Sequence, residues 1–461
     1  MAKLFDPIVA EDKLHPSFKF IRDQPDSHPG KAMLEEIFAE FEDTDGNFLE
    51  QFQTTGFDAR FFELYVFAFL RREGYEIDST HQYPDFIAER GGERVAIEVT
   101  TVNRSDKDIF TDEDAAEEIT DEQRKLLEEN EYPLRFGGPL FNKLRKRYWE
   151  LDHCKGIPLV IFIQAHFDST ALALSDAPIA SYVFGLRQDG TWDNEGKLEI
   201  TTEEIEAHLK AGEPIPSGFF KLPDSENISA VVFTNNGTLG KFDRLGYLHG
   251  YGNDEYLVSR YGFAFTPDPD VRDPSLFSFE VSQAPVVESW GEGLSVLLNP
   301  SAVHPLPQHF LGPVTYTAIE KDVPASEWFG WSPISTRTML TPMPKELIEY
   351  RRGPYFAGCI MVQAISKAMF DAIVGFEFPM PMVNAVQEGW YADEARGFLG
   401  VLVHDLDDDD WNCIILARDE MGVFRAIDTL TSIGIRREAM LAIQDRIRYL
   451  ALAPKRYFKN N

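Results

Sequence analysis

The stretch Tyr83–Thr101, YPDFIAERGGERVAIEVTT, constrains the fold of this chain more tightly than any other. Two apolar, strand-like runs flank Gly91-Gly92. A glycine pair in that setting specifies a two-residue hairpin loop, because both central positions of the favoured turn need positive φ. Counting outward from the turn pairs Arg90 with Glu93, Glu89 with Arg94, Ala88 with Val95, Ile87 with Ala96 and Phe86 with Ile97; one step further, Asp85 falls opposite Glu98. Away from the turn one face is apolar and packs against a helix, while the other carries Asp85, Glu98 and Thr100. Opposed side chains in a ladder stand roughly 4.5–5.5 Å apart at Cβ, and like charges there destabilise the sheet. A basic side chain, a shared proton or a divalent cation must neutralise the pair, and a hard cation such as Mg²⁺ suits two converging carboxylates best.

A third acid lies upstream. The run DARFFELYVFAFLRREG reads as a helix with Asp58 as N-cap and Gly74 as its stop. Apolar residues surround it almost completely, yet Glu63 sits among them. An unpartnered buried carboxylate costs several kcal/mol or takes up a proton, so Glu63 is expected to point at a polar site.

A helix bearing an acid, then GYEID, then PDF, then an acid thirteen residues later in IEVT resembles the PD-(D/E)XK phosphodiesterase superfamily, the restriction-endonuclease-like fold. The resemblance covers about residues 57–165. It implies that Asp85 and Glu98 bind one or two divalent metals, Mg²⁺ or Mn²⁺, with Glu63 assisting. It also implies hydrolysis of a nucleic-acid phosphodiester, DNA rather than RNA, in bacterial defence or a mobile element. One departure stands out: the family's lysine two residues after the second acid is Thr100 here. Some members are similar in supplying a basic residue from the next helix. In PLFNKLRKRYWEL the apolar stripe is Leu140, Leu144, Tyr148 and Leu151, with Lys143 and Arg147 together on one flank and Lys146 pointing away. Lys143 is the expected replacement and Arg147 the expected phosphate contact. The missing lysine also supports an alternative, a nuclease-like domain without catalysis that serves as an interaction or nucleic-acid-binding scaffold. An enzyme acting on a small phosphate compound would instead need a closed pocket.

At 461 residues the chain exceeds one ordinary core. The pattern predicts an α/β fold with a mixed sheet. An acidic helical segment over 1–50 precedes a nuclease-like domain over 51–310 that includes a strand-rich extension. A connecting region over 311–385 leads to a C-terminal α+β module over 386–461. In the extension SYVFGLR, ISAVVFTNN, LFSFEVS and LSVLLNP read as strands, and GTLGKFDRLG, which lacks phosphate-loop spacing, as a turn and a strand. The acidic segment 111–130 reads as a solvated helix or an excursion. The C-terminal module is expected to carry three strands and a closing amphipathic helix, with a protein partner or a second copy of the chain as its ligand. HDLDDDDWN lacks the alternating ligands and glycine of an EF-hand loop and reads as a solvated hairpin turn.

The formal net charge of −32 argues against a general nucleic-acid coating protein, though not against a local basic groove. Three widely spaced cysteines suggest neither a disulfide framework nor a thiolate metal site and fit a reducing compartment. Without an apolar leader or a run long enough to span a bilayer, the chain reads as cytoplasmic, with no membrane partner.

Overall fold

The computed structural model describes residues 3–43, 46–103, 125–167, 171, 174–192, 198–210, 213–264, 274–284, 287–329, 333–346, 348, 362–375, 384–393, 396–419 and 422–452. The fold is a mixed α/β one, and the chain forms two compact units, 1–191 with 200–255 and 286–330, and 192–199 with 256–285 and 331–461. No helix among the described residues is long and apolar enough to cross a membrane.

The first unit is built on a mixed sheet whose eight strands lie side by side in chain order: β1 (Glu76–Asp78), β2 (Phe86–Arg90), β3 (Glu93–Asn103), β4 (Leu159–His166), β5 (Ala230–Phe233), β6 (Ser295–Leu298), β7 (Thr315–Glu320) and β8 (Val323–Glu327). The β3–β4, β4–β5 and β6–β7 pairs are parallel and the others antiparallel. Alternation along the central strands buries both faces. Val160, Phe162, Ala230 and Val232 join one core with α4 (Phe57–Arg72) and the N-terminal helices α1 (Pro16–Arg22), α2 (Pro29–Glu40) and α3 (Phe48–Gln53). Leu159, Ile161, Ile163, Val231 and Phe233 join the other, under α5 (Tyr132–Leu144) and α6 (Ala177–Phe184).

The β2–β3 hairpin has the expected register at every paired position, and both turn glycines have positive φ. Helix α4 begins one residue before Asp58, which occupies its first turn, and Gly74 at φ 84° follows the last turn.

Several expectations need correction. Residues 1–50 are not a separate segment, since Leu4, Phe18, Leu34 and Phe48 share the core of α4. SYVFGLR is a helix end followed by a strand, because Pro178 starts α6 and Gly185, at φ 66°, stops it. GTLGKFDRLG forms helix α7 (Leu239–His249), whose buried Lys241 and Arg244 both pair with Glu288. The boundaries at 310 and 386 also fail. Strands Thr315–Glu320 and Val323–Glu327 close the first sheet, whereas Tyr256–Ala264 and Ser275–Glu280 pair within the second unit.

That second unit is a fully antiparallel sheet in the order Pro333–Pro342, Tyr256–Ala264, Ser275–Glu280, Val362–Ile365, Ala385–Asp393, Phe398–Asp405, Asp410–Arg418, Phe424–Ile433. Helix Arg436–Leu452 covers one face through Ile443, Ile447 and Leu450, and helix Lys367–Val374 covers the other through Phe370 and Val374. The three strands and closing helix expected at the C-terminus are all present. HDLDDDDWN is the turn of the Phe398–Asp405 and Asp410–Arg418 hairpin. Of the acidic segment 111–130, residues 111–124 lie outside the described residues.

Candidate functional site

Beyond the ladder of β2 and β3 the two acids hold each other's strands. The Asp85 N–H donates to Glu98 Oε2 at 3.3 Å, and the Val99 N–H donates to Asp85 Oδ2 at 2.7 Å. Period-two alternation places Val99 in the α4 core and leaves its neighbours Glu98 and Thr100 for the opposite face. Glu98 is almost wholly buried, at 2% exposure. Its Oε1 accepts from the Lys143 ammonium at 2.5 Å and from the Tyr148 hydroxyl at 2.7 Å, so both groups that follow α4 and the hairpin in sequence converge on one carboxylate oxygen.

These groups form one end of a cleft of ≈ 510 Å³. Asp85, Glu98 and Thr100 lie along its floor, with Lys143, Lys146 and Tyr148 beside them. Glu63 enters from α4, 9% exposed, and accepts from Arg60 at 2.6 Å. Phe41, Glu42, Asn47 and Phe48 of the N-terminal segment line the other side. Ser79 donates to Glu42 across the rim at 2.7 Å. Tyr83 stands half-exposed at the rim, its carbonyl 2.6 Å from His153 Nε2, and the His153 ring stacks on His81 at 3.7 Å.

Sequence reasoning placed Asp85, Glu98, Glu63, Thr100 and Lys143, and the fold brings all five to this cleft. Arg147 is not among them. Helix α5 ends at Leu144, so Lys143 and Arg147 do not share a helical flank; Arg147 takes a left-handed backbone, φ 53°, and pairs with Glu150 and Asp224. The same turn carries Lys146, which a continuous helix would have pointed away, into the cleft lining. Tyr148 was visible only as an apolar stripe position. Its hydroxyl, at a position facing a buried acid, is the signal that would have identified it.

Burial is the main cause that holds the Asp85 carboxyl well above the usual carboxylate range, followed by the nearby Glu98 and Glu63 carboxylates; Lys143 and the Val99 N–H pull the other way. Burial and the Glu98 charge also push the Tyr148 phenol up, which keeps it a donor.

The three-carboxylate metal set expected from sequence is not assembled. Among the described residues no group of three or more His, Cys, Asp and Glu side chains is arranged to hold a metal ion. The reason is local: Glu63 is paired with Arg60, and Glu98 Oε1 is taken by Lys143 and Tyr148. The charge of the site nevertheless fits a hard cation. Asp85, Glu98 and Glu63 bring three carboxylates together, and the charges of Glu98 and Glu63 add to burial in raising the Asp85 carboxyl.

Compared with protein-family models, with curated proteins and with solved structures, the chain matches none.

Proposed function

We propose that the first unit hydrolyses phosphodiester bonds of nucleic acid, with DNA favoured by the resemblance, using Mg²⁺ or Mn²⁺ held by Asp85 and Glu98. The observation that carries this reading is the convergence of Asp85, Glu98 and Lys143, from two strands and the next helix, on the floor of one cleft. A bound cation would polarise the scissile phosphate and lower the pKa of a water ligand. Asp85 and Glu98 supply the negative charge such an ion needs. Lys143 takes over from the lysine that Thr100 replaces, positioning the nucleophile and offsetting charge on the pentacoordinate phosphorus. Tyr148 fixes Glu98 by a neutral hydrogen bond.

The test is cleavage of plasmid, single-stranded DNA and RNA with Mg²⁺, Mn²⁺ or chelator, comparing the intact protein with Asp85→Asn, Glu98→Gln and Lys143→Ala. Metal-dependent cutting lost in either acid variant is expected. Cutting that survives both variants would trace to a contaminant and sink the reading.

A second reading has its own support. Lys143 and Tyr148 already satisfy Glu98, and a self-neutralised site suits a nuclease-like scaffold that binds without catalysis. In that case Asp85→Asn leaves partner binding intact.

A further inference from the structure

We infer that the cleft admits an unpaired polynucleotide strand rather than a duplex, with Lys146 holding a backbone phosphate beside the Asp85–Glu98 pair and Tyr83 stacking a base at the rim. This deepens the proposed function and rests on that reading for its chemistry, but not for its binding step.

Three observations carry it. The first is size. At ≈ 510 Å³ the cleft falls in the range of roughly 300–1,000 Å³ typical of pockets that enclose small ligands. Residues Phe41, Glu42, Asn47 and Phe48 contribute to its lining, and a Ser79–Glu42 hydrogen bond joins two of the lining residues. A duplex is read from outside, over protein interfaces of roughly 1,000–2,500 Å². The cleft matches a nucleotide or two of a single chain.

The second is charge. A duplex presents one negative charge per ≈ 1.7 Å of axis and is bound through many phosphate contacts. Here Glu42 and Asp43 add their carboxylates to those of Glu63, Asp85 and Glu98, against the cations Arg60, Lys143 and Lys146. Such a wall repels a dense polyanion. Of the three cations, Arg60 is engaged with Glu63 and Lys143 with Glu98. Lys146 is exposed, its backbone N–H donates to the Lys143 carbonyl, and its ammonium makes no ion pair or hydrogen bond among the described residues, so that ammonium is available to a phosphate.

The third is the aromatic rim. Tyr83 is 51% exposed although its backbone is anchored by His153. An exposed ring on a fixed backbone stacks an unpaired base, which a duplex keeps in its own stack.

The test is equilibrium binding by fluorescence anisotropy with the full chain in Ca²⁺, a hard cation used in place of Mg²⁺ so that the probes are not cut during the titration, using labelled oligo-dT, oligo-U and a DNA duplex of equal length. The single strands are expected to bind at least about 10-fold tighter than the duplex. Neutralisation of about one phosphate, by Lys146, gives a log K against log salt slope of about −0.7. Lys146→Ala should weaken strand binding and make that slope shallower by about 0.7, with Lys146→Arg restoring both. Tyr83→Ala should weaken it about 5-fold to 100-fold, with Tyr83→Trp retaining it. The dT and U arms distinguish DNA from RNA as the source of the strand. Equal or tighter duplex binding, no binding of any oligomer, or unchanged binding in both alanine variants would overturn the inference. Cleavage is scored separately, so strand-selective binding without cutting rejects the hydrolytic reading and keeps this one.

Discussion

The Lys143 ammonium lies 2.5 Å from Glu98 Oε1, and the carboxylate it meets is almost wholly buried while the lysine keeps a path to solvent. Breaking a buried pair by removing one partner costs about 3–5 kcal/mol because the remaining charge is left uncompensated. Lys143→Ala should therefore destabilise the first unit as well as abolish cleavage, toward the low end of that range since Tyr148 still donates to Glu98. Lys143→Met combined with Glu98→Gln should recover most of the stability and none of the activity. Urea denaturation alongside the cleavage assay separates the two roles: a double variant as unstable as Lys143→Ala would show that the charge pair is not the origin of the loss.

The hairpin behind this pair was legible in the sequence because its determinants are local. Gly91 and Gly92 fix the turn, the turn fixes the register, and the register opposes Asp85 to Glu98 without help from the rest of the chain. Elements whose partners lie far away were not legible. Lys241 and Arg244 resemble surface charges until Glu288, which pairs with both, folds over them. LFSFEVS reads as a strand of the first domain, and only its pairing with Tyr256–Ala264 and Val362–Ile365 puts it in the second sheet. The stop of α5 at Leu144 lacks a glycine or proline signal, so a continuous helix put Arg147 in the site and Lys146 outside it.

Asp85 should make cation binding visible as stability. Its carboxyl holds a proton more tightly in the folded chain than in the unfolded one, which lowers stability at neutral pH, so Asp85→Asn is expected to melt higher than the intact protein in chelator. Saturating Mg²⁺ should then raise the melting temperature of the intact protein and leave the variant unmoved. An ion at a hundred times its dissociation constant contributes about 2.7 kcal/mol, readily detected by scanning calorimetry. Equal metal shifts in the two proteins would place the ion elsewhere.

Adjacent glycines in α5 should respond unequally. A Cβ at Gly137 would stand 2.6 Å from the Tyr182 hydroxyl of α6 and 2.9 Å from its ring, whereas a Cβ at Gly138 meets nothing within 4 Å. Gly137→Ala is expected to cost about 1–3 kcal/mol through overpacking of the buried tyrosine. A Cβ at Gly138 meets nothing beyond its chain neighbours, but Pro139 follows it inside the helix and crowds a Cβ on the preceding helical residue, which offsets the usual benefit of alanine over glycine, so Gly138→Ala is expected to change stability by less than about 0.5 kcal/mol. Because α5 carries Lys143, Gly137→Ala should also lower cleavage. Chemical denaturation of both variants checks the pair, and an equal loss in each would contradict the packing.

The contact of α2 with α7 contains a carboxylic acid that should make the stability of the first unit depend on pH. Asp243 Oδ1 accepts from the Gly30 N–H at 3.0 Å and lies 3.3 Å from His28 Nδ1. Burial raises the Asp243 carboxyl to about 7, with the Gly30 N–H and Arg244 opposing the shift, while burial and Lys31 lower the His28 imidazole. Below about pH 4 the folded and unfolded chains both hold the Asp243 proton, so the group does not alter stability there. Between about pH 4 and 7 the unfolded chain releases the proton and the folded one keeps it, and stability falls as pH rises; above 7 the deficit is constant. At 1.36 kcal/mol per pKa unit the upper limit is about 4 kcal/mol. Asp243→Asn preserves an acceptor for Gly30 and removes the titration. Its stability relative to the intact protein should therefore climb from pH 4 to 7 and level off beyond. Urea midpoints at pH 5, 6, 7 and 8 test this. A difference independent of pH would mean that Asp243 ionises as an ordinary surface acid and that the α2–α7 contact is more open to water than its packing implies.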